Sequence, residues 1–441
     1  MQRLTITLLL FFVGAAMTQP TEAATIAAAS CSRTDVGNAV ASAAAGDTVS
    51  IPAGTCNWTT TLAITKGITL LGAGAGSTIL QDNVAKGGAT CSGGGPLMDW
   101  SVSAPQTLRI SGFTIQGVAT DPGVCQRGHL LVSGSAKGIR IDHVTISPAQ
   151  TAAIFVFGDI TGVIDHLTFD ASFKNAVVVE APNWKGVGDW GDNSWAQPIQ
   201  WGTDQAIYIE DSTFTDNSGG SIVGNFVDCY AGGRLVFRHN TAIRGNLTSH
   251  GADSTQRTRG CRQQEIYSNT FTFSAAQGVA FVTWIRGGTG VVFNNTITAP
   301  GGLNKVVQAA NCRDAGVGCA GGSSSFLPWG ACNGTSPYDQ NVSGGYRCVD
   351  QPGSGTSNLL GGDPPSPVAW VGNALDAIYA WNNTVGGSSN NTVTGSANVV
   401  NNRDYFMGTA RPGYAPYAYP HPLASGTSTS PSAPKNLRIM P

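Results

Sequence analysis

One short phrase recurs through the chain and restricts what it can fold into. An apolar residue is followed by three variable positions, then Thr, then a second apolar residue. The phrase runs from Ile110 to Ile115, Ile141 to Ile146, Ile164 to Phe169 and Ile209 to Phe214. It returns at Phe237 with Thr241, Ile266 with Thr270, Val292 with Thr296 and Ala380 with Thr384. Successive starts lie 31, 23, 45, 28, 29, 26 and 88 residues apart. A unit this short and this polar cannot be a helix pair, so each copy marks one turn of a strand-built repeat.

The segments around the phrase alternate apolar and polar residues and are rich in β-branched side chains, as in 138–146 and 206–214. That period is the signature of strands. The polar pair inside each phrase predicts a tight bend between two short strands. Asn precedes Thr in four copies, at Asn240, Asn269, Asn295 and Asn383. Amides stacked at one level of consecutive coils can bond to one another. Composition agrees, because Gly is 58 of 441 residues against a usual ~7%, and only 24 basic and 26 acidic residues are present. The acid–base balance leaves no cationic excess for phosphates, which disfavours nucleic acid, and none is expected as a partner.

The ends read differently from the body. Arg3 and the apolar run Leu4 to Met17 resemble an export signal, with cleavage expected after Ala23 and no membrane insertion. The expected boundaries are a signal peptide over 1–23, one domain over 24–423, and a Ser/Thr/Pro-rich linker with a frayed tail over 424–441. A helical N-terminal cap is expected around Asp35 to Ala45. Ten cysteines, all beyond the signal and without a CxxC pair, predict disulfides in a secreted or periplasmic protein. Spacing does not fix the connectivity. The simplest pairing joins neighbours: 31–56, 91–125, 229–261, 312–319 and 332–348.

The phrase, with the opening at 45–54 (AGDTVSIPAG) and the Ile-Asp-His steps at 141–143 and 164–166, resembles the pectate-lyase-like superfamily. The resemblance spans roughly 30–410 and implies an all-β fold. That fold is a right-handed parallel β-helix, a solenoid with long loop insertions. It does not choose among lyases, hydrolases and non-catalytic adhesins. The Arg-x-Pro-x-x-Arg phrase of pectate lyases is missing, which argues against pectate itself as substrate.

Coil spacing then locates candidate chemistry. The 45-residue gap carries Glu180 and four indoles, Trp184, Trp190, Trp195 and Trp201, which fit a sugar-stacking platform or a small aromatic core. Asp189 and Asp192 there are weak candidates for Ca2+. Equivalent stretches of the next coils hold Asp228, then His250, Asp253, Arg257, Arg259 and Arg262, then Trp284 and Arg286. Stacked at ~4.8 Å per coil, these predict one groove, either catalytic or a structural charge network. His143 and His166 share one slot of consecutive repeats and read as stacked bend residues. The disulfide-rich stretch of about 300–371 is expected to wall the groove.

Two reactions suit the cluster. β-Elimination on a uronic-acid polysaccharide needs a base, here His250 or an Arg of lowered proton affinity, and a cation to neutralise the sugar carboxylate. Inverting glycoside hydrolysis needs two carboxyl groups, for which Asp228, Asp253 and Glu180 stand ready. The lyase is favoured over the hydrolase, a non-catalytic glycan-binding surface protein is the further alternative, and the chain is expected to be a monomer.

Overall fold

The computed structural model describes residues 23–86, 94–103, 106–117, 128–149, 152–171, 175–186, 190–217, 224–253, 257–314, 317, 329–332, 348–357 and 374–425. They form a right-handed parallel β-helix, with one sheet of twenty strands and another of eleven. All strand pairs are parallel except the terminal Thr384–Val385 with Ser388–Ser389. Three ladders run along the axis. The first includes Val177–Glu180, Gly224–Tyr230, Gly245–Thr248, Val279–Ile285 and Leu303–Ala309. The second includes Ile207–Glu210, Arg234–Arg238, Gln263–Tyr267, Thr289–Phe293 and Ile378–Trp381. The third begins each strand at the repeat's Thr. The long strands Leu130–Asp142 and Ile154–Asp165 pass through the corner and belong to both of the first two ladders.

The recurring phrase is the corner between the second and third ladders. Its third residue adopts a left-handed conformation in all eight copies: Gly112, His143, His166, Asp211, His239, Ser268, Asn294 and Asn382, with φ from 52 to 79. One residue at positive φ turns the strand sharply, and polar side chains tolerate it best. The threonines that follow lie in register from Thr114 through Thr145, Thr168, Thr213, Thr241, Thr270 and Thr296 to Thr384. His143 and His166 stack at that corner, 4.7 Å apart and 6° from parallel. Each gives Nδ1 to the aspartate before it.

The expected asparagine stack is present and buried. Asn240 Nδ2 donates to Asn269 Oδ1 at 3.2 Å, Asn269 to Asn295 at 3.0 Å, and Asn295 to Asn383 at 2.8 Å. Each amide also donates to a carbonyl of the preceding coil. Removing one rung strands buried donors and acceptors on both neighbours. Asn295→Ala is therefore expected to cost about 2–4 kcal/mol, read as a lowered urea midpoint. Asn391→Ala, at the half-exposed end of the row, is expected to cost less.

Helix Arg33–Ser42 buries Val36, Ala39 and Val40 against the first strands. It starts two residues earlier than the sequence predicts because the Ser32 hydroxyl accepts the Asp35 amide. It stops at Ser42 because the Lys66 ammonium takes the carbonyls of Val40, Ala41 and Ala43. The disulfides 31–56, 229–261 and 332–348 are formed as expected. Cys91, Cys125 and Cys319 lie outside the described residues, as do the signal segment through residue 22 and the tail beyond 425. No helix among the described residues is long and apolar enough to cross a membrane.

One element has no counterpart in the sequence reading. After the last coil the chain doubles back over the outer face of the second ladder. Tyr414 donates its hydroxyl to Glu265 at 2.5 Å, Arg238 donates to the carbonyls of Tyr417 and Ala418, and Glu210 accepts the His421 amide at 2.7 Å. Burial pushes the Glu265 carboxyl above its usual range. This strap covers the outer face of the second ladder.

Candidate active site

Alternation along the first ladder sorts its side chains. Val227 and Cys229 point into the core, so Asp228 and Tyr230 point outward. Glu180 is the register partner of Tyr230 on the preceding coil, and both fall on the outer face. On the next coil Leu247 pairs with Val227. Three residues further on, His250 reaches the level of Tyr230, with ring centroids 4.9 Å apart at 61°. Thr248 pairs with Trp284, which carries Arg286 to the level of His250 one coil later. The Cys229–Cys261 bridge pins this corner. Gly251, Gly260 and Gly287 let three loops meet there. A Cβ on Gly251 would lie 2.4 Å from the Arg286 carbonyl oxygen.

His250 is oriented. Its Nδ1 lies 2.9 Å from Asp228 Oδ1, and the side chains are 32% and 4% exposed. With Nδ1–H donated to that carboxylate, the ring's tautomer leaves a lone pair on Nε2. The backbone holds it as well, since the His250 amide donates to the Cys229 carbonyl and the His250 carbonyl accepts from Cys261. Arg286 donates Nε to the Ser249 carbonyl at 2.5 Å and lies 3.4 Å from Asp253 Oδ2. Its guanidinium rests on the Trp284 ring, 5.2 Å from the centroid. Asp228 meets His250, Asp253 meets Arg286, and the four lie on adjacent coils as the spacing predicts, with Glu180 on the same outer face one coil before Tyr230.

Arg257 and Arg259 do not join them. Arg259 is wholly buried, with Nε and Nη2 on Asp350 at 2.6–3.1 Å and Nη1 on Asp192 at 2.9 Å. The two carboxylates outweigh burial and raise its proton affinity further. Arg257 takes the other oxygen of Asp192 at 2.6 Å. A guanidinium locked between carboxylates and shielded from solvent cannot reach a substrate, so Arg259 clamps loops instead of doing chemistry. The same contacts correct the Ca2+ expectation at Asp192, because both its oxygens already face guanidinium groups. Asp189 lies outside the described residues. Asp314, Cys332 and Cys348 cluster, but the two sulfurs are bonded to each other and offer no thiolate.

The indoles divide by burial. Trp184 and Trp195 are 1% and 0% exposed. Cations already occupy their faces: Lys137 and Arg234 over Trp184, Arg259 and Arg262 over Trp195. They form the loop's own aromatic core, not a sugar platform. Trp201 lies on the opposite flank, packed against Tyr414 and Arg411 under the strap. Trp284 stands on the outer face of the first ladder, and Trp190 keeps 39% of its surface exposed. Sequence reasoning missed Tyr230 and Asp350. Tyr230 was discoverable, since it stands two residues after Asp228 and so shares its face. Asp350 gave no local signal, being 91 residues from Arg259.

No protein-family model matches the chain, and no curated protein matches it. Among solved structures it is similar to an alginate lyase from Paenibacillus sp. strain FPU-7. The likeness is 13% identity over 89% of this chain and 97% of that one, with a TM-score of 0.39.

Proposed function

We propose that this protein is a secreted polysaccharide lyase that cleaves a uronic-acid-containing glycan by β-elimination on the outer face of the first ladder. The observation that carries the reading is His250, part-exposed, with Nδ1 on buried Asp228 and Tyr230 and Arg286 on either side. The three formed disulfides support an oxidising compartment. The bend-and-Thr repeat supports kinship with the pectate-lyase-like superfamily.

In this reading the uronate carboxylate sits against Arg286, whose charge lowers the acidity barrier at the neighbouring carbon. His250 Nε2 takes the proton from that carbon. The electron pair forms a carbon–carbon double bond as the bond to the glycosidic oxygen breaks. The leaving oxygen takes a proton from the Tyr230 hydroxyl. Asp228 positions the imidazole and stabilises its charged form. Trp284 supplies a flat apolar surface beside the reacting unit. Glu180 lines the trough one coil earlier. Hydrolysis finds less support, because Asp228 is committed to His250 and Asp253 faces Arg286, leaving no carboxyl pair across a bond.

The experiment is a digest of a panel of acidic polysaccharides, followed by ultraviolet absorbance. Lysis gives a rising absorbance from the conjugated double bond together with new chain ends. New reducing ends without that absorbance identify a hydrolase, and binding without product identifies a glycan-binding protein.

A further inference from the structure

Among the described residues, two buried guanidinium groups near this corner make no hydrogen bond to a carboxylate. Arg234 and Arg262 are 3% and 0% exposed. Arg234 donates only to neutral acceptors: Ser194 Oγ at 3.1 Å and the carbonyls of Ser194, Pro198 and Gln197. Arg262 makes only two long contacts, both 3.4 Å, to the Gln197 carbonyl and Thr356 Oγ1. Its Nε and Nη1 have no hydrogen-bond partner. The equally buried Arg238 and Arg259 behave differently, because each grips a carboxylate.

Both unpaired groups reach the same Gln197 carbonyl, so the two charges are neighbours. An indole lies on each, Trp184 on Arg234 and Trp195 on Arg262. Ring faces offset a cation in part but do not fill N–H donors. Burial pushes Arg234 down to about 9, with Arg262 adding to the drop and Asp159 opposing it, and pushes Arg262 down to about 10, with Arg259 and Arg411 adding to the drop and Asp376 and Asp350 opposing it. Buried charges in native proteins are paired or bind an ion. Asp376 and Asp350 lie within electrostatic range of Arg262, and Asp159 of Arg234, but each is already paired with another cation, Arg411, Arg259 and Lys137 respectively. Two adjacent buried cations, one with vacant donors, therefore call for a further negative charge.

We infer that Arg234 and Arg262, with Gln197 and Thr356 at the rim, bind a small inorganic anion of halide size. The burial of Arg234 and Arg262, 3% and 0% exposed, favours a monatomic ion over a sugar or a large oxyanion. The anion would tie the 192–200 loop and the 348–357 segment to the corner that carries Tyr230 and His250. It is independent of the reaction assigned to that corner.

Two measurements on the full chain test it. The first is thermal unfolding in sodium chloride or bromide against sodium gluconate at equal ionic strength. Halide is expected to raise Tm by about 3 °C at about a hundredfold excess over Kd. Arg262→Met is expected to abolish that increment. The second is anomalous diffraction from crystals of the unaltered protein grown in bromide, which is expected to place a peak between the two guanidinium groups. Equal Tm in halide and gluconate overturns the inference. An increment that survives Arg262→Met, or bromide bound only elsewhere, overturns it as well.

Discussion

Replacing His250 by Gln is expected to lower the β-elimination rate by about 10²–10⁴ while shifting stability by less than about 1 kcal/mol. The two effects separate because His250 lies at the surface of the trough. Its side chain is 32% exposed, and its main structural duty is one hydrogen bond to Asp228. Gln keeps a donor for that carboxylate but has no basic nitrogen. Steady-state kinetics on the polysaccharide that the panel identifies, with a melting curve of the same preparation, decide the matter. A loss of activity matched by a loss of Tm would make His250 a structural residue. Asp228→Asn gives a graded control. It preserves the contact but removes the carboxylate that fixes the tautomer, so kcat should fall with little change in KM.

Arg259→Met is expected to have the opposite profile. It removes the cationic partner of Asp350, which keeps only the Gly260 amide, and one of the two cations on Asp192, leaving the buried Asp350 charge uncompensated. Breaking such a pair costs about 3–5 kcal/mol. For a chain of this length that corresponds to a Tm loss of about 3–5 °C. Sequence spacing alone placed Arg259 in one groove with His250, as part of either a catalytic cluster or a structural charge network. Its complete burial between carboxylates assigns it to the network. Combining Arg259→Met with Asp350→Asn should recover part of the loss, since neutralising the stranded charge removes its penalty. A single variant that melts like the parent would contradict the clamp.

What the chain disclosed about itself follows from where each signal is stored. The corner phrase was legible because a left-handed residue followed by Thr repeats every coil, and the same local geometry must recur at His143, His166 and Asp211. The asparagine row was legible because its members occupy one slot of that phrase. The groove was legible through side-chain period alone, which puts Asp228, His250 and Arg286 on one face. The strap was not, because the Pro- and Tyr-rich stretch after Met407 has no periodicity. It is held by Arg238, 179 residues away from Tyr417 in sequence. The indoles misled for the same reason. Trp184, Trp195 and Trp284 look alike in sequence, and only partners on other coils decide which ring stays open. Arg259 and Arg286 differ likewise, one meeting Asp350 and the other a backbone carbonyl beside solvent.

The most direct test of the proposed chemistry is mass balance on a single cut. A defined acidic oligosaccharide, drawn from whichever polymer is cleaved, is digested to two fragments and both are weighed by mass spectrometry. Elimination through His250 and Tyr230 adds nothing from solvent, so the fragment masses must sum to that of the starting sugar. A sum larger by one water molecule would mean hydrolysis and would contradict the account.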